Sequence, residues 1–295
     1  MKRVMIFFIW ISIVHTGPLF GVIKKSKSSH SMRFTRQEID LLIQDLGMDD
    51  WKRKELMNLF SRKEVRKLSD VVEINVKSPI ILQPEKYAHF IKPESLNTAK
   101  EFKRKWNSTL LAASKKFSVD PNIIIGIMLV ETRLGKFIGE YPLISVFASV
   151  YIGSRELAKD PQYLNLNPEQ KDRISRKSKW ALSELKALLA IKRKYPRLDI
   201  ARIQGSFAGA FGICQFLPSS YVKWAINSSG KGYPNLFYEP DAIFSIANYL
   251  SSHGYGTDKS IENRRNALWK YNHSDVYVNT VITVAEEMGR SPTVR

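Results

Sequence analysis

Cysteine is almost missing from this chain: Cys214 is the single one in 295 residues, so no intramolecular disulfide can form. Acidic residues are outnumbered, 28 against 46 Lys and Arg, which leaves a formal charge of +18 and a long-range pull on polyanions. Nucleic acid, anionic membrane and cell-wall polymer all qualify as such partners. No recognisable nucleic-acid module accompanies the charge, and nucleic acid is not expected as a partner. The five histidines, at positions 15, 30, 89, 253 and 273, lack the spacing of a zinc site. No Ser or Cys nucleophile stands beside a local His motif, so covalent hydrolysis is without support. Strand signals are few and no long repeat is present, which makes the class mainly α.

What is present begins with Met1-Lys2-Arg3 and the apolar run Val4 to Val14, the layout of a secretory signal peptide over residues 1–21. The run is shorter than the roughly 20 residues that span a bilayer, so an exported protein of the envelope or periplasm is expected. No cysteine follows it to carry a lipid, and no integral span is expected after cleavage. Residues 22–33 read as a flexible basic tail, and 34–290 as the functional domain, with a small helical subdomain over about 34–70 and a core over about 83–290. A hydrophobic content of 44% suffices to fill that core.

The stretch Val71 to Leu82 contains Pro79 and reads as a short strand or extended connector. Ala99 to Phe117 reads as helical. Asp120-Pro121 supplies an N-cap and first-turn proline for a helix that stops near Gly135, and apolar residues on all its sides make it central. Arg155 to Lys179 is polar and reads as a surface excursion before a helix starting near Trp180. Later helices are expected at Ser219 to Ile226, Asp241 to Ser252 and Ser274 to Met288.

Glu131 ends that central helix, sharing a face with Ile124, Ile127 and Met128. Hydrocarbon neighbours and the negative end of the helix dipole both disfavour the anion, and a carboxyl that stays protonated can donate to a glycosidic oxygen. A structural ion pair with Arg133 or Lys136 is an equal alternative on spacing alone. The run Gly205 to Tyr221 carries three glycines, alternating aromatics and the amide of Gln215. Its glycines permit close approach of backbone to a ligand, or equally tight internal packing.

Val130 to Gly135, Gly205 to Tyr221, Asp241 to Leu250 followed by His253-Gly254, and Tyr271-Asn272-His273-Ser274 together resemble the lytic transglycosylase B family, in matching order and spacing. The resemblance covers roughly Phe34 to Gly289. It implies a goose-type lysozyme-like α core with a long saccharide groove. Glu131 then matches the family's catalytic acid, and Ser206, Gln215, Tyr249, Tyr271, Asn272 and Tyr277 match groove residues. Tyr87 matches a further groove tyrosine with its local spacing shifted by one residue. The tyrosine rings suit stacking on sugar C–H groups while their hydroxyls bond to oxygen.

The implied reaction uses one carboxyl where most glycosidases employ two. Glu131 protonates the oxygen between N-acetylmuramic acid and N-acetylglucosamine, the substrate's acetamido oxygen stabilises the cationic sugar, and Glu131 then takes the proton of the C6 hydroxyl to close a 1,6-anhydro ring. No cofactor takes part, peptidoglycan strands are the partner, and a monomer is expected. Relatives carry an EF-hand-like calcium loop where this chain has Asn227, Ser229, Lys231, Tyr233 and Asp241. Lys231 repels a cation, so the loop is read as degenerate, with Lys231 neutralising Asp241. Two other readings stay open: a muramidase-like hydrolase in which water attacks, and a non-catalytic wall-binding protein.

Overall fold

The computed structural model describes residues 32–48, 51–77, 84–256 and 260–290. The expected signal segment, and the basic tail apart from its last two residues, lie outside the described residues. Local signals start most helices. Thr35 and Glu38 form a capping box for α1 (Arg36–Leu46), which Gly47 ends in the left-handed conformation. Then follow α2 (Arg53–Phe60) and α3 (Ser69–Val72), the latter continuing as a π-turn over Glu73–Lys77.

That continuation corrects the extended reading of residues 71–77; the rest of that stretch, 78–82, lies outside the described residues. Burial decides it. Val71 and Val76 are sealed in the core, and the buried Asn75 donates from Nδ2 to the Val71 and Phe207 carbonyls, a bond across the molecule that an extended strand would not place.

A 3₁₀ segment, Pro84–Ile91, leads into α4 (Pro93–Lys105) and α5 (Asn107–Phe117), which break at Trp106 where one continuous pattern is read from sequence. Next come α6 (Pro121–Thr132), β1 (Tyr141–Pro142) and α7 (Leu143–Leu157). The polar excursion is a second correction. After a 3₁₀ turn at Pro161–Asn165, a capping box of Asn167 and Gln170 starts α8 (Pro168–Lys194), so most of the excursion is the first half of a 27-residue helix. Its early turns are polar because they lie at the surface. The chain finishes with β2 (Gln204–Gly205), α9 (Pro218–Trp224), α10 (Glu239–Ser252), α11 (Ile261–Tyr271) and α12 (Asp275–Gly289). The helices α7 and α11 have no counterpart in the sequence reading.

Helix α6 is central, as its all-round apolarity predicts: every residue from Ile123 to Val130 is buried. Each large aliphatic side chain there stabilises the fold by roughly 1.5–3 kcal/mol. It packs against α12 at Gly126, where a Cβ would sit 3.0 Å from the Val281 carbonyl oxygen. Asn122 donates to Ala285 O at 3.3 Å, so the two helices run antiparallel. With 1.5 Å rise per residue, that register carries Glu131 on α6 to the level of Tyr277 on α12. The helices α1 and α2 share one continuous hydrophobic cluster with the rest. Strand among the described residues is confined to the β1–β2 pair and a few isolated bridges.

Candidate active site

The site grows from the way α6 ends. Arg133, Leu134 and Gly135 all have positive φ (49°, 60° and 92°), and this left-handed turn stops the helix directly after Glu131-Thr132. Thr132 clasps it: its buried hydroxyl donates to Ile213 O at 3.0 Å and accepts from Gly135 N at 3.0 Å. The end of α6 is thereby fastened to the glycine-rich loop. Arg133 is directed to the His89 ring, 3.4 Å from Nε2, and over the face of Phe137.

Glu131 is partly buried, with tyrosines around its carboxyl. Burial, and then the charge of Glu131, push the Tyr87 hydroxyl up to about 12. Tyr277, fully buried, and Tyr271 are pushed well above the ordinary value of 10, each by burial first and with Glu131 contributing. All three therefore stay neutral and keep their O–H groups at physiological pH. Tyr87 reaches this place because its 3₁₀ segment packs on α12 and α6. Tyr271 and Tyr277 lie parallel, 7° between planes and 6.4 Å between centroids.

The glycine-rich loop is shaped by packing. A Cβ at Gly205 would sit 2.1 Å from Ala210 O, at Gly209 2.2 Å from the Phe147 ring, and at Gly212 2.4 Å from the Leu236 Cβ. Close internal approach accounts for all three. The loop's outer features are Ser206, partly exposed, and Gln215, held at φ 50°. The Ser206 hydroxyl accepts from Ala210 N at 3.2 Å, leaving its own proton for a ligand. Gln215 donates from Nε2 to Gly212 O and Ile138 O, so the carbonyl end of its amide is what remains. The loop runs into α9, whose first turn is capped by the buried Glu184 of α8, accepting from Ser219 N at 2.9 Å and Ser219 Oγ at 2.8 Å. Burial raises the Glu184 pKa, and the Ser219 hydrogen bonds oppose the rise.

The structure brings Tyr249, Tyr271 and Phe216 into one aromatic cluster. It also revises the part their hydroxyls can play. Tyr249 donates to Lys270 O at 2.7 Å and Tyr271 to Cys214 O at 2.6 Å, so as donors both are committed within the fold. Asn272 is different: it is 0% exposed, and neither its Nδ2 nor its Oδ1 has a partner. The residues that sequence reading missed are Thr132, Cys214 and Glu184. They act through backbone atoms or as anchors, and no motif spacing announces that.

The loop over 227–241 packs on the glycine-rich loop, where Leu236 O accepts from Ile213 N at 2.8 Å. Asp241 is buried and accepts from Ser228 N at 2.8 Å, Ser228 Oγ at 2.6 Å and Asn235 N at 2.7 Å. Asn227 Oδ1 accepts from Ser229 Oγ at 2.8 Å and Lys231 N at 3.1 Å. The expected neutralisation of Asp241 by Lys231 does not occur: Lys231 is exposed, and the carboxylate is satisfied by neutral donors close to it in the chain.

A central apolar helix with an acid in its last turn, faced by a helix bearing Tyr277 and by a glycine-rich loop, defines a lysozyme-like α core. Its family is found by comparison. The chain belongs to the transglycosylase SLT domain family, which it matches over residues 35–265. It is 31% identical over 228 residues to the membrane-bound lytic murein transglycosylase B of Escherichia coli (strain K12), covering 75% of this chain and 57% of that protein, so the match spans little more than half of that relative. The Escherichia coli lytic transglycosylase SLT35, solved in complex with calcium, superposes with a TM-score of 0.67 at 23% identity, over 88% of this chain and 96% of that one. SltB3 from Pseudomonas aeruginosa, solved in complex with NAG-NAM-pentapeptide, gives 0.69 at 18% identity, over 86% of this chain and 79% of that one. At these identities the structural likeness bears on the fold, and the mainly α, lysozyme-like core expected from the motifs is the fold found. Among the described residues no helix is long and apolar enough to cross a membrane.

Proposed function

We propose that the chain is an exported peptidoglycan lytic transglycosylase of the envelope or periplasm, acting as a monomer on glycan strands, with residues 34–290 as its catalytic domain. The observation that carries this is the Glu131 carboxyl at the end of a buried apolar helix, partly buried among the neutral hydroxyls of Tyr87, Tyr271 and Tyr277. The family and the fold support it.

In this reading Glu131 delivers its proton to the bridging oxygen between N-acetylmuramic acid and N-acetylglucosamine. The C–O bond breaks, the acetamido oxygen stabilises the cationic sugar, and Glu131 recovers a proton from the C6 hydroxyl as the anhydro ring closes. Substrate contacts fall to Ser206 Oγ, the Gln215 carbonyl and the Tyr271 ring, with Tyr87, Tyr249 and Tyr277 shaping the wall and the buried Asn272 behind it. No cofactor is required. We read the 227–241 loop as supplying no calcium site, since the ammonium of Lys231 stands at a ligand position and repels a cation.

Mass spectrometry of digested sacculi tests this. Anhydro-muropeptides are expected from the wild type, and their absence in favour of reducing ends would establish a hydrolase instead. Glu131→Gln should bind sacculi without cutting them; cutting at the wild-type rate would remove Glu131 from the mechanism.

A further inference from the structure

A cleft separate from the Glu131 cluster is lined by both charged and apolar side chains. It has a volume of about 430 Å³, sits between the end of α1, the second half of α7 and the first half of α8, and is lined by Asp45, Tyr151, Ser154, Arg155, Ser175 and Lys179 among others. Tyr87, Ser206, Gln215, Tyr271, Asn272 and Tyr277 take no part in it. Its size is that of a small-molecule site.

The chemistry of its lining is unusual for a surface cleft. Asp45 accepts the Tyr151 hydroxyl proton, which fixes the carboxylate in place, and Arg155 approaches it only to 3.7 Å. That distance is too long for the paired hydrogen bonds an arginine fork makes with a carboxylate. Asp45 keeps lone pairs to offer, and 29% of its side chain remains exposed. Lys179 forms no ion pair with any described residue, so its three N–H donors are unclaimed. Ser154 is 1% exposed, and its hydroxyl has no hydrogen-bond partner in the fold. A buried hydroxyl left without a partner costs stability, which a ligand supplying that bond would restore. The cleft therefore brings together one anion, the Arg155 cation 3.7 Å from it and the Lys179 cation, with hydroxyls in the same lining.

We propose that this cleft binds the zwitterionic end of a short peptide, its carboxylate between Arg155 and Lys179 and its ammonium on Asp45. An anion alone would leave Asp45 opposed to it, and a neutral sugar would leave three charges unused. Naming the peptide as a stem of the wall rests on the function proposed above; the zwitterion chemistry does not. The cleft would hold a stem whose amine is free, and it gives the polar 155–179 segment a role.

The test is calorimetric titration of the full chain with a stem tripeptide released from sacculi by an amidase, in free and N-acetylated forms. The free peptide should bind in the sub-millimolar range, and Arg155→Ala should weaken it by about tenfold. Asp45→Asn, which keeps the acceptor for Tyr151, should weaken the free peptide and leave the N-acetylated one as in wild type. Ser175→Trp, which fills the cleft without altering charge, should abolish binding, while Glu131→Gln should bind like wild type. No binding heat, or heat unchanged in both Arg155→Ala and Ser175→Trp, overturns the proposal, as does loss in Glu131→Gln. A wild type that binds the peptide yet releases no anhydro-muropeptides overturns the catalytic reading and keeps this site.

Discussion

The end of α6 and the 227–241 loop are both turns of left-handed residues joined to buried helices, and they treat their polar atoms in opposite ways. After α6, Thr132 uses its hydroxyl to tie the turn to Ile213, and Glu131 is left facing the tyrosines. In the loop, Asn227 and Asp241 turn their oxygens inward onto donors within the same fifteen residues. A fold commits its polar groups either to itself or to a ligand, and the hydrogen-bond partners say which. Motif likeness drew attention to both places, and their hydrogen-bond partners differ.

The sharpest break of this contrast is Glu131→Gln, expected to lower turnover of sacculi by about 10²–10⁴-fold or more, since an amide cannot deliver the proton. Release of anhydro-muropeptides is the readout. Asp241→Ala comes next. It strands two N–H groups and a hydroxyl in part-buried bonds, and should cost about 1–3 kcal/mol in urea unfolding with little change in kcat. An equal loss of activity at full folding would erase the distinction between the two turns. Thr132→Val should cost about 1–2 kcal/mol and lower kcat more than it raises KM, because it loosens the turn beside Glu131 without removing a substrate contact.

A smaller effect concerns Glu184. Its folded pKa is raised above 4.5 by burial, so the stability it lends is full below that value and is lost as pH rises through the folded pKa. Glu184→Gln, which can still accept from Ser219, should flatten that decline between acid and neutral pH in thermal melts. A parallel decline in wild type and variant would assign it to other groups. Smallest of all is calcium. Millimolar calcium should leave the melting temperature unmoved, whereas a site filled 100-fold over its Kd would add about 2.7 kcal/mol.

Residue types and spacing made much of this legible. The Asp120-Pro121 start and all-round apolarity of α6 placed the central helix, and four motifs in register placed the acid and its tyrosines. Other parts were hidden for identifiable reasons. The capping box Asn167–Gln170 is a helix start inside a segment whose charge suggested a loop, because a long helix can be polar for its first turns where only its later turns are buried. Val71 to Lys77 is helical because Asn75 bonds to Phe207, 132 residues away, and no local pattern encodes that. The three loop glycines looked equally suited to a ligand or to packing, and only the positions of Ala210, Phe147 and Leu236 could choose. The hydroxyls of Tyr249 and Tyr271 were expected on sugar, yet each found a backbone carbonyl first.

Asn272 carries one consequence for the engineering of this protein. An amide sealed from water with both ends unsatisfied is a standing cost of about 1–3 kcal/mol per group, and selection for thermal robustness alone would discard it. Libraries screened only for heat tolerance should therefore enrich apolar replacements such as Leu at this position, and the survivors should be hardier and catalytically poorer together.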